Sequence, residues 1–323
     1  MLKENASTPE IWTHELTKIY GRGETSVRAV NKIDISMEPG VHGFLGPNGA
    51  GKTSTINMLI GAIAITGGEA KIRGEDAGSI RARRIIGFLP QDPAFYDTMT
   101  GEQYLTYVAE LSGLGRIDAK QKTQELLESL KLTNAKDRKI EKYSEGMKQR
   151  IGIAAALIHD PEILILDEPT SNLDPIGRAN IIKDIKELSK KASVFVSSHI
   201  LSEIEQMCEK VTMINKGKIV VTDTIKNIKK MHSIKGGRNI IILDTSLNDK
   251  IFPQLQKQDY IENVWIEEKD KKIHILPKNL EMLQKAIPKM IIDNDVILRE
   301  FQQPETSLQE IFIEIMEDEV NNE

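Results

Sequence analysis

The sequence is short of what staples a chain or embeds it in a bilayer. Cys208 is the only cysteine among 323 residues. One thiol cannot close a bridge within its own chain, which excludes a disulfide framework and a cysteine-rich zinc site. A reducing compartment is the expected setting. No apolar run exceeds about eight residues, as at Met58 to Ile65, whereas a membrane-spanning helix needs about 20. The chain is therefore not expected to cross a bilayer by itself. Met1 to Glu10 carry no apolar core behind a basic head, so no secretory signal is expected and the cytoplasm is the predicted location. A strong excess of one charge is missing too, since 43 basic against 48 acidic residues leave −5. From Arg238 onward ten basic residues face eighteen acidic ones, a net of −8 that leaves +3 for the chain before it. Neither part has the basic patch that a nucleic-acid partner would draw, so no such partner is expected.

What is present suits a globular chain of about two domains at roughly 100 to 200 residues each. Short β-branched runs bounded by Gly or Pro fall at Ile11 to Tyr20, Ala29 to Met37 and Val41 to Leu45, and read as strands. From Tyr104 to Leu132 the apolar spacing becomes helical, with Leu105, Val108 and Ala109 and later Leu126, Leu127 and Leu130. Strands return at Ile163 to Leu166 and Val194 to Ser197, around a helical run from Gly177 to Lys191. The pattern predicts an α/β class with a parallel core interrupted by helices. A basic stretch from Lys226 to Arg238, with Gly236 and Gly237, reads as a linker. Beyond it the periodicity predicts strand 239–244, helix 247–257 and a hairpin from Val264 to Leu276 turning near Asp270. Helix 279–287, strand 291–298 and a final helix 307–318 follow. The order is βαββαβ plus a helix, a small α+β ferredoxin-like arrangement.

Two patterns carry chemistry. Gly46, Pro47, Asn48, Gly49, Ala50, Gly51, Lys52 and Thr53 match the eight-residue phosphate loop, after a predicted strand and before a predicted helix. Glycines let successive N–H groups turn around phosphate oxygens, the helix N-terminus adds partial positive charge, and Lys52 reaches the terminal phosphates. Thr53 can ligate magnesium, and Ser54 completes the nucleotide-binding set. Second, Ile163 to Leu166 end in Asp167-Glu168-Pro169-Thr170, which puts two carboxylates at the carboxyl end of a buried strand, where open α/β sheets bind ligands. Asp167 is placed to hold magnesium through water, and Glu168 to take a proton from an attacking water. A guanine site is not expected, because the nearest string, Asn215-Lys216-Gly217-Lys218, has a cation where a carboxylate is needed.

Further pieces follow in order. Gln91 comes after the strand Ile85 to Leu89, and Tyr143-Ser144-Glu145-Gly146-Met147-Lys148-Gln149-Arg150 precedes a helix. Ser171-Asn172-Leu173-Asp174 follow the carboxylates, and His199 follows the strand Val194 to Ser197. Over roughly Ile11 to Thr224 the chain resembles the ATP-binding subunits of ABC transporters, with the family's core motifs in order. The resemblance implies a P-loop NTPase cassette over 1–230, with a helical subdomain at about 95–160, that binds ATP and Mg2+. It also implies that Gln91 reaches magnesium or the attacking water, and that His199 contacts the γ-phosphate and orients Glu168. Tyr20 would stack on adenine. Ser144 and Gly146, the signature segment, would complete the ATP site of a second cassette, with Asp174 working across the same dimer. Glu145 and Met147 depart from the commonest signature, and Glu145 would repel a phosphate unless it points away.

One cassette without membrane spans implies a separate transmembrane permease, a second copy as dimer partner, and a peripheral place on the cytoplasmic face of the membrane. The tail 237–323, in Ser307-Leu308-Gln309-Glu310-Ile311-Phe312-Ile313-Glu314, resembles the extension of exporter subunits whose permease is a separate chain. Other readings stay open: a soluble ABC ATPase acting on nucleic acid or ribosomes, or an importer subunit with a ligand-sensing tail. For the tail itself, dimerisation is a further reading. The transported cargo is not written in these residues.

Overall fold

The computed structural model describes residues 8–234, 240–268, 270–303, 308, 311 and 312. The chain divides into two compact units, Met1–Ile225 and Lys226–Glu323. In the first, apolar runs build a six-stranded sheet in the order Lys218–Thr224, Lys210–Asn215, Val41–Leu45, Ser193–Ser198, Ile163–Asp167 and Ile86–Leu89. Neighbours run parallel except at Lys218–Thr224, which turns back antiparallel on Lys210–Asn215. Every residue of Ile163–Asp167 and Ser193–Ser198 is buried, the pattern of parallel strands covered on both faces. The turn at the antiparallel edge is Lys216-Gly217, with φ of 44° and 78°. Two left-handed residues in a two-residue loop match the twist of a hairpin. The string tested for guanine recognition is thus a hairpin turn.

A second sheet of five antiparallel strands includes Val27–Ile33, Ile11–Tyr20, Gly67–Ile72 and Glu75–Asp76, with Ser36–Met37 on the first of the long strands. The run expected as one strand from Ala29 to Met37 is broken at Asp34, whose Oδ1 accepts the Glu15 N–H at 2.8 Å where strand pairing lapses. The helical block is likewise two helices, Gly101–Leu111 and Arg116–Ser129, separated at Gly113 by a φ of 94°. Thr100 and Gln103 form a capping box at the first of these. Glu145–Leu157 packs against both to complete the expected helical block.

The second unit holds a four-stranded antiparallel sheet in the order Ile261–Ile266, Ile273–Pro277, Ile241–Thr245 and Leu298–Gln302. Helices Asn248–Leu255 and Leu280–Asp293 complete βαββαβ. Its core gathers Ile241, Leu243, Ile251, Ile275, Leu283 and Ile287. Three expectations are corrected here. Lys226 to Ile234 is helical, within Ile225–Ile234, and is not an extended linker; 235–238 lie outside the described residues. Helix 279–287 continues through Pro288 to Asp293, because Met290 and Ile291 pack on this core from the added turn. The expected strand 291–298 therefore starts only at Leu298. Of the expected final helix, residues 308, 311 and 312 are helical, with Leu308 and Ile311 buried, and the rest lies outside the described residues. Among the described residues no helix is long and apolar enough to cross a membrane.

Candidate active site

The phosphate loop leaves strand Val41–Leu45 at Gly46 and enters helix Lys52–Leu59. Its glycines are imposed by backbone. Gly51 has a φ of 107°, and a Cβ there would lie 2.5 Å from the Ala29 carbonyl; at Gly46 it would lie 2.3 Å from the Ile214 carbonyl. At these two positions the loop is pressed against neighbouring strands with no room for a side chain. Lys52 is buried at the head of the helix. Its Nζ donates to the carbonyls of Gly46 at 2.8 Å and Pro47 at 3.2 Å and lies 3.1 Å from Glu168 Oε1.

Asp167 and Glu168 end the strand Ile163–Asp167, next in the sheet to Ser193–Ser198, so that Asp167 pairs with Ser197. The Ser197 hydroxyl donates to Asp167 Oδ1 at 2.5 Å and accepts the Glu168 N–H at 2.9 Å, fixing both acids with one side chain. Glu168 turns into the left-handed region, with φ 48°, a conformation that costs free energy and persists where its surroundings impose it. Its Oε2 accepts from His199 Nδ1 at 2.8 Å. An ionised carboxylate only accepts, so Nδ1 carries the proton. Burial pushes the Asp167 carboxyl above its ordinary range, against hydrogen bonds from Ser197 and Thr53; the Glu168 charge raises it further and Lys52 lowers it.

A cleft of about 530 Å³ brings together Asn48, Gly49, Gly51, Lys52, Thr53, Ser54, Gln91, Glu168 and His199. Asp167 does not line this cleft, and only 2% of it is exposed. The Tyr20 hydroxyl lies 3.2 Å from Ser54 Oγ, and its half-exposed ring carries Lys18 Nζ 5.0 Å from the centroid. Ser144, Gly146 and Asp174 are elsewhere: they share a second cleft, also lined by Arg150 and Asn172, and do not line the first. There Ser144 Oγ accepts the Met147 N–H at 3.3 Å as a helix cap, and Asp174 accepts the Gly177 N–H at 2.7 Å as another. Glu145 pairs with Lys148 at 3.1 Å, on the next turn of its own helix.

Sequence reading missed Ser197, Arg178 and Glu203. Arg178 lines the phosphate-loop cleft while its Nε donates to the Leu173 carbonyl at 2.9 Å. Glu203 is buried below it. Nothing in the spacing marks these two, because strand order alone brings their segments together. Ser197 had a signal in its place just before Ser198-His199, at the end of a strand.

A model of the family described as ABC transporter matches residues 30–171. The bacitracin transport ATP-binding protein BcrA of Bacillus licheniformis is 35% identical over 311 residues, 95% of this chain and 97% of its own. The linearmycin resistance ATP-binding protein LnrL of Bacillus subtilis (strain 168) is 32% identical over 305 residues, 93% and 96%. Among solved structures, an ATP-binding cassette in a dimeric post-hydrolysis state bound to ADP and Pi shares the fold, with a TM-score of 0.61 and 22% identity over 67% of this chain and 98% of that one. Relatives that align along nearly the whole chain, on a fold that holds a phosphate loop against buried carboxylates, place this protein in the family of ABC transporter ATP-binding proteins, the ATPase subunits of those transporters.

Proposed function

We propose that this chain is the ATP-hydrolysing subunit of an exporter, acting on Mg-ATP as a dimer and docked through a separate permease on the cytoplasmic face of the membrane. The observation that carries the chemistry is the grip on Glu168, which is buried, held by His199 and Lys52, and aimed into the phosphate-loop cleft. In the reaction, water oxygen attacks the γ-phosphorus, the bond to the β-phosphate oxygen breaks, and the water proton passes to Glu168. His199 Nδ1–H holds the accepting carboxylate in place. Lys52 now neutralises Glu168, and phosphate oxygens entering the loop compete for the same ammonium and free Oε1 to act as base.

The residues fit magnesium. Thr53, Asp167 and Gln91 offer hydroxyl, carboxylate and amide oxygens, the donors a hard cation takes. Asp167 is pushed towards its neutral form by burial, which a nearby cation would relieve. When bound, the ion neutralises charge on the phosphate oxygens. Tyr20 offers the adenine platform beside Ser54.

Ser144, Gly146 and Asp174 lie outside their own chain's phosphate-loop cleft, which supports a composite site with a second cassette. Glu145 also lines that second cleft, and its pairing with Lys148 supports a negative charge being tolerated there beside an incoming phosphate. The exporter reading, over a soluble ATPase or a ligand-sensing importer subunit, is supported by the transport and resistance names of the relatives. The tail would then serve assembly or regulation. Phosphate release with and without Glu168→Gln tests the reading: the variant should bind ATP, dimerise on sedimentation and turn over roughly 10²–10⁴-fold more slowly. An undiminished rate removes Glu168 as the base.

A further inference from the structure

Next to the turns that carry the base and the histidine lies a buried carboxylate with no part in the chemistry above. Glu203, 3% exposed, stands in the first turn of helix Leu201–Met207. Its Oε2 accepts from the Thr170 hydroxyl at 2.5 Å and from the Ser198 hydroxyl at 3.2 Å. Its Oε1 is buried without a hydrogen bond, and Arg178 Nη1 is the cation beside it, at 3.9 Å.

The partners matter because of where they sit. Thr170 is two residues after Glu168, and Ser171 N–H donates back to the Glu168 carbonyl at 3.0 Å. Ser198 precedes His199, and its hydroxyl also takes the Ile200 N–H at 2.9 Å. The Ser198 carbonyl accepts from Gly46, the first residue of the phosphate loop, at 3.4 Å. Arg178 grips the Leu173 carbonyl, next to Asp174, while lining the phosphate-loop cleft. One side chain is thus tied to the turns after the base, around the histidine and before Asp174.

A buried carboxylate is costly unless several donors repay its desolvation. Here the donors come from segments that neither contact one another in sequence nor share a helix. We infer that Glu203 is a positioning residue for hydrolysis: it fixes the turn after Glu168 and the turn carrying His199 in register, with Arg178 extending the tie to Leu173. The inference rests on Glu168 as the base and His199 as its orienter. Glu203 touches no substrate, so its loss acts on geometry, and a displacement of an ångström at the reacting groups is enough to cost about 10²-fold.

The test uses the full chain and five variants: Thr170→Val, which removes one hydroxyl and keeps the shape; Glu203→Gln, which keeps an acceptor oxygen; Glu203→Leu, which keeps none; Thr170→Val combined with Glu203→Leu; and Glu168→Gln. Measured for each are kcat and KM for ATP, affinity for a fluorescent ATP analogue, and melting temperature. Thr170→Val should lower kcat about tenfold with KM and analogue affinity within twofold of the original. Glu203→Leu should lower kcat more than Glu203→Gln, and combining Thr170→Val with Glu203→Leu should add nothing to Glu203→Leu alone. A kcat unchanged in Thr170→Val, or losses that follow melting temperature or analogue affinity, overturns the inference and leaves Glu203 a folding residue. Undiminished turnover in Glu168→Gln overturns the underlying assignment of the base, whichever way the Glu203 variants behave.

Discussion

The two clefts of the cassette are built on opposite terms. Around the phosphate loop, charged groups are buried and hold one another: Lys52 with Glu168, Glu168 with His199, Asp167 with Ser197. Around the signature segment, Ser144 caps one helix start and Asp174 another, and Arg150 pairs with the buried Asp184 on the neighbouring helix, at 3.0 Å. Nothing lies within 4 Å of where a Cβ on Gly146 would stand, whereas Gly46 and Gly51 are hemmed in by backbone. The first cleft is preorganised inside a single chain and pays for that in desolvation and left-handed backbone. The second is open at its surface, as the proposed composite site with a second cassette requires.

The contrast can be strained by substitution, and the largest effect is expected in the buried cleft. Gly51→Ala forces a side chain at φ 107° against the Ala29 carbonyl, at a cost of roughly 3–5 kcal/mol. A thermal melt should show lost stability already in the monomer, with nucleotide affinity lost as well. A melt unchanged by Gly51→Ala would mean the loop has more room than its contacts imply.

The strand that delivers the loop carries the next test. His42 is 2% exposed, its Nε2 lies 2.8 Å from Thr212 Oγ1 and its ring stacks on Phe195. Burial, aided by the Lys210 charge, lowers its pKa from 6.5 to about 4. The folded chain therefore takes up this proton later than the unfolded one. The stabilisation is full above pH 6.5 and is lost as the pH falls from there through about 4, by about 3 kcal/mol in all. Denaturant melts across that window should fall less steeply for His42→Gln; equal slopes would show that His42 does not drive the acid loss.

The smallest effects on folding belong to the exposed cleft. Ser144→Ala removes a helix cap, worth about 1 kcal/mol. Gly146→Ala should leave the melting temperature nearly unchanged and still weaken ATP-driven dimerisation on sedimentation, because the added methyl meets only an incoming partner. A full ATP dimer in Gly146→Ala would break the contrast between a cleft complete in itself and one that is not.

How much of this was legible depends on whether the interaction is local. The phosphate loop and the Asp-Glu pair at a strand end are local in sequence, and each lies where the residues predicted it. Local patterns also misled. Ile291 and Ile292 read as the start of a strand because β-branched residues favour strands, yet Ile291 serves the core from the end of a helix that runs through Pro288. The stretch after Lys226 read as a linker from its charges, yet its apolar residues at Ile225, Ile228 and Met231 recur at helical spacing, and Ile228 is buried.

By itself the sequence determined the chemistry available to this protein. A glycine-framed loop with its lysine, two adjacent acids closing an apolar run, and a single cysteine limit the chain to an unstapled phosphate-binding α/β fold. Only the tertiary structure decided which of these groups meet. That Ser197 serves both acids, that Lys52 rests on Glu168, and that Glu203 gathers Thr170, Ser198 and Arg178 all follow from sheet order, which sets strands distant in sequence side by side. Composition and spacing encode what a segment buries, whereas register between segments is fixed only when their buried faces pack together.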